Sequence, residues 1–85
     1  MNQQAGLKEG DCVLVFLSTV DVVFHRSTGS ERNILARGVI ESISIDGMAT
    51  VECDYILDIT LTAVLVVVDE IRVTAPLTYM VLVEQ

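Results

Sequence analysis

Val, Ile and Thr fill the long runs of this sequence, and nowhere do apolar residues return at three- and four-residue spacing over three helical turns. β-Branched side chains lose rotamer freedom against a helix but sit well on a pleated surface, so the pattern predicts an all-β chain. With 85 residues, 52% of them hydrophobic, one Pro and five Gly, there is material for one small core, and neither disorder nor low complexity is expected.

The sharpest local signal is a hairpin from Gly38 to Asp54 that turns at Asp46-Gly47. Gly takes positive φ without steric cost, so Asp-Gly between β-branched runs favours a type I′ turn. A strict two-residue turn sets Ile45 opposite Met48, Ile43 opposite Thr50 and Ile40 opposite Cys53. That register mixes polar and apolar residues on both faces and opposes Glu41 to Glu52. Slipping by one residue collects Ile43, Ile45, Ala49, Val51 and Cys53 on a single face, and this second register is the expected one. It needs an extra residue, hence a bulge near Met48.

Upstream, Cys12 to Leu17 reads as a strand and Val20 to His25 as another, followed by a long polar loop from Arg26 to Asn33. Downstream, Leu57, Ile59 and Leu61 alternate with Asp58, Thr60 and Thr62 as a half-buried strand. Ala63 to Val68 suits a central or subunit-covered strand, and a single 3₁₀ turn is expected near Asp69–Ile71. Ile71 to Ala75 makes a strand that Pro76 closes, and a last strand runs from Thr78 to Glu84. Residues 1–8 are expected to form a flexible N-terminal lead and residues 9–85 a single β domain. Five to seven short antiparallel strands in such a length point to a small barrel or compact sandwich.

Three segments carry a resemblance at the level of fold. Glu9-Gly10-Asp11-Cys12-Val13-Leu14-Val15, then Gly38-Val39-Ile40-Glu41-Ser42-Ile43, then Ala49-Thr50-Val51-Glu52-Cys53 look like the first three strands of an SH3-like barrel module. Val67-Val68-Asp69-Glu70-Ile71-Arg72-Val73 resembles the 3₁₀ turn leading into the closing strand of such modules. The resemblance spans about residues 9–75 and implies a small SH3-like barrel; Tyr55 to Ala63 and Thr78 to Glu84 depart from it. The aromatic binding surface usual in these modules is missing here, so the resemblance assigns no ligand-binding residue.

Twelve acidic residues against five basic ones give a net charge of −7 and an isoelectric point near 4.3, a poor match for a phosphate backbone or an anionic membrane. Phe16, Phe24, Tyr55 and Tyr79 are scattered rather than gathered on a positive groove, so nucleic-acid binding is not expected. An acidic nucleic-acid mimic is a rival use for the charge, although the acids form no dense run. The polar N-terminus is no signal peptide, and Tyr55 to Val68 falls short of the roughly 20 apolar residues a membrane helix needs. A cytoplasmic protein with Cys12 and Cys53 reduced, and no membrane partner, is expected.

His25 with Cys12 or Cys53 is conceivable as a catalytic dyad, but no spacing supports it or a zinc site, and Glu52/Asp54 and Asp69/Glu70 read as solvated charge. The chain is therefore expected to be no enzyme and to carry no cofactor or metal. The basic residues are more clustered: His25, Arg26, Arg32 and Arg37 enclose only one acid, Glu31. They read either as an ordinary polar loop or as a site for an acidic partner, another subunit's acidic face included. An apolar excess completes the reading. Alternate residues of a small barrel cannot all face inward, so Val64, Val66, Met80 and Leu82 are expected to need cover from a second subunit. The expected function is a protein–protein interaction or assembly module that self-associates, most simply as a dimer. A small-molecule binding protein or small enzyme with a cryptic pocket, and an SH3-like nucleic-acid module, stand as alternatives.

Overall fold

The computed structural model describes residues 6–57 and 66–83. Within them the chain runs β1 (Cys12–Phe16), α1 (Thr19–Thr28), β2 (Ile34–Ile43), β3 (Met48–Ile56), β4 (Val67–Asp69), β5 (Arg72–Pro76), a 3₁₀ turn (Leu77–Tyr79) and β6 (Met80–Leu82). All six strands join one antiparallel sheet in the order β4-β5-β3-β2-β1-β6, and the sheet is compact without closing. The all-β expectation thus holds for the sheet, with one helix added.

That helix replaces the expected strand Val20 to His25 and the first part of the expected loop. Its ends explain why. The Ser18 hydroxyl accepts from the Asp21 amide at 3.3 Å and donates to the Asp21 carboxylate at 2.9 Å, which secures the first turn. Gly29, at φ 77°, takes the left-handed conformation that ends the last turn, its amide bonded to the His25 carbonyl. Asp21 at the start and His25 and Arg26 at the end complement the helix dipole.

The core is formed by inward residues of β1, β2, β3, β5 and β6. Val13 and Val15 of β1, Leu35, Ala36 and Ile40 of β2, Ala49, Val51 and Cys53 of β3, Val73 and Ala75 of β5, and Met80 of β6 are buried together. Leu7 packs against this cluster, so the end of the N-terminal lead belongs to the domain.

The central hairpin keeps the expected inward face of β3 and changes the register. Ile43 pairs with Ala49 rather than Val51, and residues 44–47 form the connecting loop, with the Ser44 amide bonded to the Met48 carbonyl. Ile45 is fully exposed at that loop. The bulge sits not near Met48 but at Glu41, where Ile40 pairs with Val51 and Ser42 with Thr50. A second bulge, at Asp54 of β3, separates the pairs Arg37–Tyr55 and Gly38–Cys53. Each restores the inward alternation that a continuous ladder would lose.

The remaining corrections lie near the C-terminus. The connection at Glu70-Ile71 is a tight β4–β5 turn with Glu70 at φ 55°, and the 3₁₀ turn comes later, at Leu77–Tyr79, just after Pro76. Of the expected strand from Leu57 onward, residues 58–62 lie outside the described residues, as do residues 63–65 of the expected strand Ala63 to Val68. Lying next to β1, β6 is shorter than expected, because the 3₁₀ turn takes its first residues.

Candidate functional site

The four basic-region residues do not share one loop. His25 faces inward from α1: its Nδ1–H donates to the Ser30 carbonyl at 2.8 Å, and its ring lies 5.2 Å from that of Phe16. Arg26 is exposed in the last turn of α1. Arg32 lies over the face of Phe24, its guanidinium carbon 4.1 Å from the ring centre, a cation–π contact. Arg37 is on β2, facing away from the core, 3.7 Å from the Asp54 carboxylate at the β3 bulge. Arg32 thus lies on the Phe24 side of the helix and Arg26 beyond its other side, while Arg37 belongs to another surface.

The four residues expected at an interface also separate. Met80 is enclosed by its own core and needs no second subunit. Val66 is half-buried against the same core, Leu82 is 44% exposed at the β6 edge, and Val64 lies outside the described residues. Sequence alternation failed for Met80 because the 3₁₀ turn resets the facing of the strand that follows it.

Two exposed apolar surfaces stand where no core position was expected to fail. One is the β4–β5 hairpin, where Val67, Val68 and Ile71 are 60%, 45% and 50% exposed. Asp69 and Glu70 flank them at the turn. Arg72 beside them is held by Glu41, Nε to Oε1 at 3.0 Å and Nη2 to Oε2 at 3.2 Å, with Glu52 at 3.9 Å. The Arg72 hydrogen bonds keep the Glu41 carboxyl below its ordinary range, so both stay charged.

The other surface is the outer stripe of α1. Val20 and Val23 are 70% and 65% exposed, and with Thr19, Phe24 and Ser27 they form a shallow depression of about 330 Å³. The inner side of the same helix carries polar residues instead. Asp21 is buried, accepting from Asn33 Nδ2 at 2.9 Å as well as from Ser18. The helix is partly inverted: Asp21 is satisfied inside beside Val22, while Val20 and Val23 face out.

A third feature is a cleft of about 620 Å³ on the outer side of the sheet, with apolar walls from Leu14, Ile34, Tyr55 and Leu57 and with Arg37 and Glu31 among its polar groups.

Cys53 is buried in β3, and burial, with Asp54 and Glu52 adding to it, pushes its pKa up to about 11. Among the described residues, no three His, Cys, Asp or Glu side chains are grouped to hold a metal ion. Among them, too, no helix is long and apolar enough to cross a membrane. Comparison with protein-family models, with curated proteins and with solved structures finds no match to this chain.

Proposed function

We propose that this protein is a non-catalytic, cytoplasmic interaction module that assembles with copies of itself, most simply as a dimer. The observation that carries the reading is the β4–β5 hairpin, a thin end of the sheet that exposes Val68 and Ile71 on the face it shares with Val73, and Val67 on the opposite face. Contiguous exposed valine and isoleucine on an edge hairpin invite association, and a second subunit buries them. The interface expected from Val64 to Leu82 is thereby moved to the hairpin. An SH3-like barrel remains the proposed finer fold. The 3₁₀ turn that leads back to the strand beside β1 supports it, displaced from Asp69–Ile71 to Leu77–Tyr79. The acids around Arg72 count against a nucleic-acid partner on that side.

Light scattering on the purified chain tests the reading. A mass above 9.3 kDa at tens of micromolar, lowered to the monomer's by Ile71→Asp but not by Ile45→Ser, is the expected result. A wild-type chain that remains at 9.3 kDa overturns it.

The outer cleft supports a second reading, as a small-molecule binding protein. Its size is that of ordinary ligand sites, and apolar walls with one arginine suit an aliphatic or aromatic carboxylate. A thermal upshift with such acids, lost in Arg37→Ala, is the expected result; no shift across a panel of them removes this reading.

A further inference from the structure

The two exposed apolar surfaces are opposite in charge, and this extends the self-association proposed above, on which the inference rests. The α1 stripe of Val20, Val23 and Phe24 is bordered by Arg26 and Arg32. Asp21, the helix's own acid, is turned inward and occupied by Ser18 and Asn33, which leaves Glu31 as the acid near that stripe. The hairpin patch of Val68 and Ile71, on the face that Val73 shares, is bordered at the turn by Asp69 and Glu70, and the nearby cation, Arg72, is engaged by Glu41 and Glu52. One patch is apolar with a positive border, the other apolar with a negative border.

We propose that the α1 stripe is the docking surface for the β4–β5 hairpin of a second copy of this chain, with Arg26 and Arg32 facing Asp69 and Glu70. The fold separates the two patches within one chain. α1 packs on β1 and the 3₁₀ turn, whereas β5, β3 and β2 stand between β4 and β1 in the sheet. In a two-fold dimer each helix receives the other chain's hairpin, so the contact forms twice and closes. The stripe's depression admits short branched side chains such as those of Val68 and Ile71, and the opposite charges at the two borders favour this pairing. Exposed Val20 and Val23 on a helix that buries Asp21 also break the ordinary inside-outside pattern, as binding surfaces do.

Complementation tests the pairing. Val23→Asp spoils only the helix stripe and Ile71→Asp only the hairpin; both positions are exposed, and circular dichroism verifies that each variant is folded. Each variant alone should be monomeric by light scattering. An equimolar mixture should regain a dimer, because one intact stripe then meets one intact hairpin. Charge exchange gives a second measurement: Arg26→Glu with Arg32→Glu, or Asp69→Lys with Glu70→Lys, should each weaken self-association on the order of tenfold or more. Mixing those two double variants should restore it. If the wild type self-associates but neither mixture recovers, this docking is overturned while self-association stands. If the wild type is monomeric, both fall together.

Discussion

Replacing Gly38 by alanine should be among the most damaging small changes available to this fold. Gly38 lies opposite Cys53 at the β3 bulge, and there the two backbones approach closely. An added Cβ would stand 2.6 Å from the Cys53 Cα and 2.8 Å from the Glu52 carbonyl carbon, and nearer still to the Glu52 carbonyl oxygen. Carbon atoms settle at about 3.5–4.0 Å, so β2 and β3 must part by roughly 1 Å. The obstacle is backbone rather than the end of a flexible side chain, so no rotamer change relieves it. The cost belongs at the upper end of overpacking, ~3 kcal/mol. For a chain of 85 residues the whole stability is of order 4–13 kcal/mol, so this is a large share of it. Urea denaturation followed by far-ultraviolet circular dichroism should show the midpoint falling by roughly 3 M, given a slope near 1 kcal/mol per molar. Gly47→Ala is the control. Gly47 sits at φ 87° with no atom within 4 Å of an added Cβ, so only backbone strain of ~1 kcal/mol is incurred. If Gly38→Ala costs no more than Gly47→Ala, the close approach of β2 and β3 is refuted.

Cys53, at about 11, is thiolate to only about one part in a thousand at pH 8, so Cys12 should alkylate first under native conditions, read by mass spectrometry. Because folding raises that pKa from 9.0, the unfolded chain loses the proton first. Stability should therefore be full below pH 9.0 and decline as pH climbs to about 11, a decline that Cys53→Ala removes in urea titrations. Ser18→Ala should cost ~1 kcal/mol by removing the α1 cap, with a matching drop in thermal midpoint. Ile45→Ser should change stability by less than about 0.5 kcal/mol, whereas Ile40→Ala should cost about 2–5 kcal/mol; equal effects would restore the register with Ile45 inside.

The sheet was legible because alternation along β3 and the Gly-bounded start of β1 depend on local chemistry alone. Ala49, Val51 and Cys53 face inward as read. Register was less legible: the choice between two turn lengths assumed that Ile45 must be buried, and the loop of residues 44–47 leaves it outside. The helix was hidden by its own inversion. Asp21 and His25 occupy inward positions next to Val22, so the apolar period a helix normally shows is absent, while β-branched Val20, Val22 and Val23 imitate a strand. The signal that was available lies at the ends, Ser18 with Asp21 three residues on and Gly29 after the last turn. The same inversion put two valines on a surface where sequence reading expected a strand, and the helix stripe was missed with it. The basic residues were grouped by proximity in sequence, whereas Arg32 lies on Phe24, Arg26 in the last turn of α1 and Arg37 on the outer face of the sheet.

The two bulges of the central hairpin also decide where its length is free to vary. Losing the codon for Asp54 would set Arg37 and Gly38 opposite consecutive residues, Tyr55 and Cys53, with every side chain keeping its side of the sheet. Losing the codon for Glu41 would do the same for Ile40 and Ser42 opposite Val51 and Thr50. A codon gained or lost elsewhere between Ala36 and Ile40 would turn one side of the deletion point from core to water. Relatives of this chain that differ in length within the hairpin should do so at these two positions or in the loop of residues 44–47, and the bulges thus serve as the places where insertion and deletion can pass without disturbing the interior.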